Sequence, residues 1–275
     1  MKFNVARIIQ RLRRTRRKQI VLAPIIPTAA QRRSLETIYM RVVRQWGRET
    51  LERIMPAYER ALAVTDGLRD SVDDVEGVTE ATAAAMRRLV LTLNASLEDW
   101  AVRVEEWHRQ RFAQLFTASG AKLDMLLGRG DVRTTLQATL AENVSLIKSL
   151  DEQMRNGISG SVFRGLQARS PAREVAREIR KVAGIAARRA ELIAADQLQK
   201  LTGRLDQERQ EQVGIKRFKW RHSGKRNPRP EHVARDGKIY RWDSAVARSD
   251  PPGRAIRCGC RAQPIVDLAE LTGPE

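Results

Sequence analysis

A spaced row of large side chains in the middle of the chain most constrains its fold. Leu89, Leu93, Leu97, Trp100, Val104, Trp107 and Arg111 follow one another at steps of four, four, three, four, three and four. Such steps return to one side of an α-helix, and their alternation is close to a heptad seam. The spacing predicts a helix from about Thr79 to Ser119, with Trp100 and Trp107 packed inside as core residues. His108 sits beside the seam and reads as a surface or boundary residue, not a metal ligand.

Other helices follow from the same periodicity. Leu35, Ile38, Val42 and Trp46 share one face of a helix over about Thr28 to Val64, and Pro56 should kink or break it near Met55. Asp66-Gly67 and the acidic stretch Asp70 to Gly77 read as a connection. Asp131 can cap a helix reaching Asn156, with Leu136, Leu140, Val144, Ile147 and Leu150 as its apolar stripe. Gly157 and Gly160 should loosen the chain before a short helix at Val162 to Gln167. Ser170-Pro171 is a helix start, and that helix should end near Gly184. A last helix over Ile185 to Val213 carries Leu192, Ala195, Leu198 and Leu205 inside, with Gly214 as its C-cap.

After Gly214 the period changes to two. Phe218 and Trp220 alternate with charges, Ile239, Tyr240 and Trp242 follow the Asp236-Gly237 turn, and Pro251-Pro252-Gly253 is a further turn. Ala262 to Val266 reads as a closing strand that Pro264 restricts to an edge. The fold class expected is α+β, mainly α: long helices in the N-terminal part and a small loop-rich β module at the C-terminus. The expected division is a basic arm and proline-interrupted strap at 1–27, a helical domain at 28–184, and a C-terminal module at 185–275.

Charge narrows the partners. The 275 residues hold 51 Lys and Arg against 33 Asp and Glu, a formal net charge of +18. A hydrophobic share of 42% excludes full disorder, and no run of ~18 uncharged apolar residues supplies a membrane span. Such a balance favours a polyanionic partner, nucleic acid first. The cations concentrate in two places. One is the N-terminal arm, with Arg11, Arg13, Arg14, Arg16, Arg17 and Lys18; the apolar segment after it is too short and too proline-broken for a secretory signal. The other surrounds the β module, with Lys219, Arg221, Lys225, Arg226 and Arg229 interleaved with aromatics. Both could track a phosphate backbone without reading bases.

The chemically dense stretch is Trp220 to Pro264. It holds His222, His232, Cys258 and Cys260, the residue types of a tetrahedral Cys2His2 zinc site. The spacing of one residue between the cysteines is tighter than in zinc ribbons, and the alternative is a plain packed core. Turns at Asp236-Gly237 and Pro252-Gly253 should bring His232, Cys258 and Cys260 together in either case. Two cysteines are too few for a disulfide framework, which places the chain in a reducing compartment. No cofactor is called for, and zinc is the one metal these residues suggest.

Trp220, Ser223-Gly224, Arg229-Pro230, His232, Asp236-Gly237, Pro252-Gly253, Cys258-Gly259-Cys260-Arg261 and Pro264 together resemble the C-terminal module of phage head morphogenesis proteins, the Mu F-like minor head family. The stretch Arg189 to Arg204 is similar to that family's lead-in helix. Lys225 stands where an acid often follows Ser-Gly, and Cys-Gly-Cys replaces Cys-Arg-Cys, departures that disfavour a catalytic constellation. The resemblance implies a low-copy component of a tailed-phage head, in the virion and in host cytoplasm during assembly. It implies portal or capsid proteins and packaged double-stranded DNA as partners, no small-molecule ligand and no enzymatic activity. A free nucleic-acid-binding protein with a zinc-stabilised β module is the alternative. A third reading, a metal hydrolase with Glu231 or Asp236 as base, conflicts with four protein ligands closing the metal.

Overall fold

The computed structural model describes residues 5–12, 19–64, 68–117, 127–128 and 132–268. It is mainly α-helical with one small antiparallel sheet near the C-terminus, the fold class expected. The chain forms two compact units that are not contiguous in sequence: residues 1–31, 100–139 and 195–275 make one, and 32–99 with 140–194 the other. These units divide the chain differently from the boundaries expected after residues 27 and 184.

The second unit is helical. Helix α2 (Ala29–Glu49) buries Leu35, Ile38, Val42 and Trp46, the face its spacing marks. A π-helical turn at Thr50–Ile54 leads into α3 (Met55–Ala63), with Pro56 in its first turn. Proline has no N–H for the carbonyl four residues back, and the widened turn accommodates that loss. Helix α4 (Leu68–Thr117) already covers the acidic stretch read as a connection. Asp73, Asp74 and Glu76 are exposed on its N-terminal part, and Val75 is buried. Helix α5 (Arg133–Gln167) runs unbroken through Gly157 and Gly160. A Cβ on Gly157 would lie 2.5 Å from Val182 Cγ1, so this glycine permits close helix packing and does not loosen the chain. Helix α6 (Ala172–Gln212) likewise passes through Gly184 without a break. Tyr39 donates to Asn143 Oδ1 at 2.8 Å and the Trp46 indole to Asp151 Oδ1 at 2.7 Å, satisfying the polar tips of two buried rings.

In the first unit α4 continues its seam with a shift. Along α4 the buried residues are Met86, Val90, Leu93 and Leu97 in the second unit, then Trp100, Val104, His108, Phe112 and Phe116 in the first. Beyond Val104 the buried line advances by four at every step, so Trp107 becomes half-buried and Arg111 exposed. A 3.6-residue helix drifts from a strict 3.5 repeat, and His108 is carried inside. The surface reading of His108 is therefore corrected: it is fully buried, with Nε2 2.9 Å from Asp206 Oδ1. Nearby Arg209 donates to Glu105 at 2.5 Å and to the Gly128 carbonyl at 3.0 Å, all inside the unit.

The sheet comprises β1 (Gln19–Val21), β2 (Arg217–Arg221), β3 (Ile239–Arg241) and β4 (Arg261–Asp267) in the order β1-β4-β2-β3. Strand β4 is thus central, not an edge. In an antiparallel strand a residue's N–H and C=O face the same neighbour. The Pro264 carbonyl accepts from Leu22 N, just past the end of β1, while Pro264 lies opposite Phe218 on β2. The missing N–H therefore falls where β1 pairing has ended, and no β2–β4 bond is lost. The proline-rich strap supplies β1. The segment before it contains α1 (Val5–Leu12), whose Val5, Ala6 and Ile9 are buried with Phe112, Phe116, Val213 and Val266. That part of the arm is core, not a free tail. The Arg11 side chain and residues 13–18, where the other arm cations fall, lie outside the described residues. Among the described residues no helix is long and apolar enough to cross a membrane.

Candidate functional site

Helix α6 is the platform for the C-terminal module. The Asp196 carboxylate accepts from Arg257 N at 2.5 Å, Thr202 accepts from Arg261 at 2.8 Å, and Gln199 is a second acceptor for Arg261. Gln210 donates to the Ala262 carbonyl at 2.9 Å and accepts from the Trp242 indole at 3.2 Å. These residues recur at helical spacing, forming a polar face that holds the module's loops. Hydrophobic periodicity does not register such a face. It instead marks Leu192 as internal, whereas Leu192 is exposed and Leu201 is buried. Gly203 belongs to the same contact: a Cβ there would meet the Pro252 carbonyl at 3.0 Å, so the Pro252-Gly253 turn sits directly on the helix.

Within the module, alternate residues of β2 point Phe218 and Trp220 into a core with Trp242, Ala247, Cys258, Cys260 and Ala262. Trp220 is fully buried. The His232 ring meets it edge-on at 5.2 Å, and the Arg235 guanidinium lies over it at 5.0 Å. His232 and Arg235 come from α7 (Pro230–Arg235), a short helix started by Arg229-Pro230 that sequence periodicity is too short to show. Asp250 closes α8 (Ala245–Ser249).

The module's centre brings three predicted residues together. Cys258 Sγ and Cys260 Sγ lie 3.4 and 3.6 Å from His232 Nδ1, and all three side chains are buried. Both cysteines are free thiols. On the other side of the ring, His232 Nε2 is 2.8 Å from Asp250 Oδ2, which also accepts from Arg235 at 2.6 Å. His222 is not part of this group: its Nδ1 accepts from the Gly224 N–H within its own loop. Sequence reasoning missed Asp250 and Arg235. Their only signal is that a buried imidazole needs a partner for its second nitrogen.

The electrostatics follow from these contacts. The Cys258 thiol is brought down to about 5, chiefly by a hydrogen bond from the Cys260 thiol, with help from the Cys260 and Gly253 backbone and from His232. The same hydrogen bond, donated by Cys260, pushes the Cys260 thiol up, and burial adds to it. Burial would raise Asp250, but hydrogen bonds from Arg235 and His232 outweigh it and hold the carboxyl below its usual range. The loop before the cysteines is held by force. Arg257 has a φ of 57°, unfavourable for a side-chain-bearing residue. Its N–H is fixed by Asp196 and its carbonyl accepts from Lys225 Nζ at 2.7 Å.

Residues 156–263 match the family described as Phage Mu protein F like protein. The Mu F-like stretch covers about two fifths of the chain and extends upstream of the expected motif, taking in the end of α5 and all of α6. An uncharacterized protein of Haemophilus influenzae (strain ATCC 51907 / DSM 11121 / KW20 / Rd) is 30% identical over 164 residues, which are 59% of this chain and 37% of that protein. The matched part is thus well under half of its relative's length. No solved structure is similar to the chain.

Other motif positions of the Mu F-like stretch make local contacts in the module's loops. Ser223 and Gly224 lie in an exposed loop after β2, the Asp236 carboxylate accepts from His222 N at 2.8 Å, and Gly237 N donates to the Trp220 carbonyl. Of the cations expected to face phosphate, Arg221 and Arg226 are exposed and Lys219 is half-buried. Lys225 and Arg229 instead donate to the Arg257 and Ile256 carbonyls, bracing the cysteine loop.

Proposed function

We propose that the protein is a minor structural and assembly component of a tailed-phage head, acting beside the portal or procapsid in head morphogenesis, DNA packaging or delivery. The observation that carries this reading is the Mu F-like match over residues 156–263. The motif residues support it by their positions, since turns, rings and thiols build one module and brace it on α6. The role assigned is structural, not catalytic. The site of action is the virion, and the host cytoplasm during assembly. Portal or capsid proteins and packaged double-stranded DNA are the partners, and a net charge of +18 suits a place against packed DNA.

Binding of the full chain to unrelated duplexes across a salt series, and to portal protein, tests the assignment. DNA binding should be indifferent to sequence, with a log–log salt slope of about 0.9 per phosphate neutralised. Replacing Arg13, Arg14, Arg16, Arg17 and Lys18 by Gln should lower that slope. Deleting residues 1–18 is the poorer variant, because it also removes Val5, Ala6 and Ile9 from the core. An unchanged slope with lost portal binding would transfer the arm to protein recognition. A chain that binds neither DNA nor portal would overturn the proposal.

A further inference from the structure

The three side chains at the module's centre have the geometry of a metal site. Zinc bound tetrahedrally at ~2.3 Å from sulfur and ~2.0–2.1 Å from imidazole nitrogen sets each S···N separation near ~3.6 Å. The separations here are 3.4 Å for Cys258 and 3.6 Å for Cys260, and the three donor atoms all lie within 4.8 Å of one another. We propose that Cys258, Cys260 and His232 bind a zinc ion through both sulfurs and Nδ1, with Asp250 orienting the imidazole.

Three independent features converge on this assignment. The Nε2–H of His232 given to Asp250 leaves the Nδ1 lone pair aimed at the two sulfurs, the arrangement in which a carboxylate sets tautomer and ring direction for a metal. Asp250 is itself fixed by Arg235. The sulfurs are presented by a loop whose unfavourable Arg257 backbone is clamped at both ends, so their direction is imposed and not left to packing. The donor set is soft, which selects zinc over magnesium or calcium. The ion would tie α7, the cysteine loop and the start of β4 into one unit, an added constraint for a module with a small apolar core. The expected four-ligand set thus becomes three: His222 is occupied in its own loop, and Asp250 serves from behind the ring. The assignment does not depend on the phage-head reading.

The test is a Co2+ titration of the full-length chain after chelator treatment, followed by displacement with Zn2+. One equivalent should bind and give a thiolate-to-cobalt charge-transfer band with the intense visible bands of a tetrahedral ion; zinc should abolish both. Cys260→Ser should weaken the charge-transfer band or lose it. Because that variant can fail to fold, Asp250→Asn and His222→Ala are the sharper pair. Asp250→Asn should keep the stoichiometry and weaken affinity by about 10–100-fold, and His222→Ala should match the wild type. A folded wild-type chain, verified by circular dichroism, that gives no charge-transfer band would overturn the proposal. A His222→Ala variant that loses the metal would overturn the three-ligand set.

Discussion

At the scale of single residues, Trp220 decides whether the β module holds. Its indole is fully buried among Phe218, Tyr240 and His232, with Arg235 stacked on its face. Trp220→Ala should destabilise the chain by about 3–5 kcal/mol, the range for a large-to-small change in a core. Denaturant unfolding checks this, and an unchanged midpoint would show that the module contributes little to global stability. The convergence of His232, Cys258 and Cys260 was legible because two turn signals lie between the histidine and the cysteines and the ligand types are rare in this chain. Asp250 was not, since one aspartate among 33 acids carries no mark until the imidazole it serves is in place. His108 was misread because a heptad template was extended one turn too far.

At the scale of elements, glycines and prolines were legible as punctuation but not in meaning. Gly157 lies inside α5 and faces Val182 of α6 at a distance that excludes a Cβ. Gly157→Ala gains about 1 kcal/mol of helix propensity but forces overpacking that costs about 1–3 kcal/mol. The single variant should be destabilised, and adding Val182→Ala should reverse the sign. Thermal unfolding of the two variants and the double variant reads this directly; a Gly157→Ala chain more stable than wild type in the Val182 background would refute the close contact. Pro264 shows the same limit. Its type argued for an edge strand, whereas its register against a short β1 let it stand in the centre of the sheet. The polar face of α6 was invisible to apolar periodicity, although Asp196, Gln199, Gly203, Asp206 and Gln210 keep a strict three-four spacing. Asp196, Gln199, Gly203 and Gln210 on that face hold the module, while Asp206 pairs with His108 of α4.

At the scale of the whole molecule, the helical class and the C-terminal sheet could be read from the change of period at Gly214. The two compact units could not. Helices α4, α5 and α6 each give residues to both, so no linker or composition shift marks a boundary. Net charge belongs to this scale too: it argues for the chain's surroundings, not its fold. The central claim is that the chain is built into phage heads in small numbers, and its most direct measurement is quantitative mass spectrometry of gradient-purified particles produced with the chain. The account predicts a few copies per particle, cross-linked to portal protein. Particles that contain no copy, while the chain accumulates in the same lysate, would contradict it.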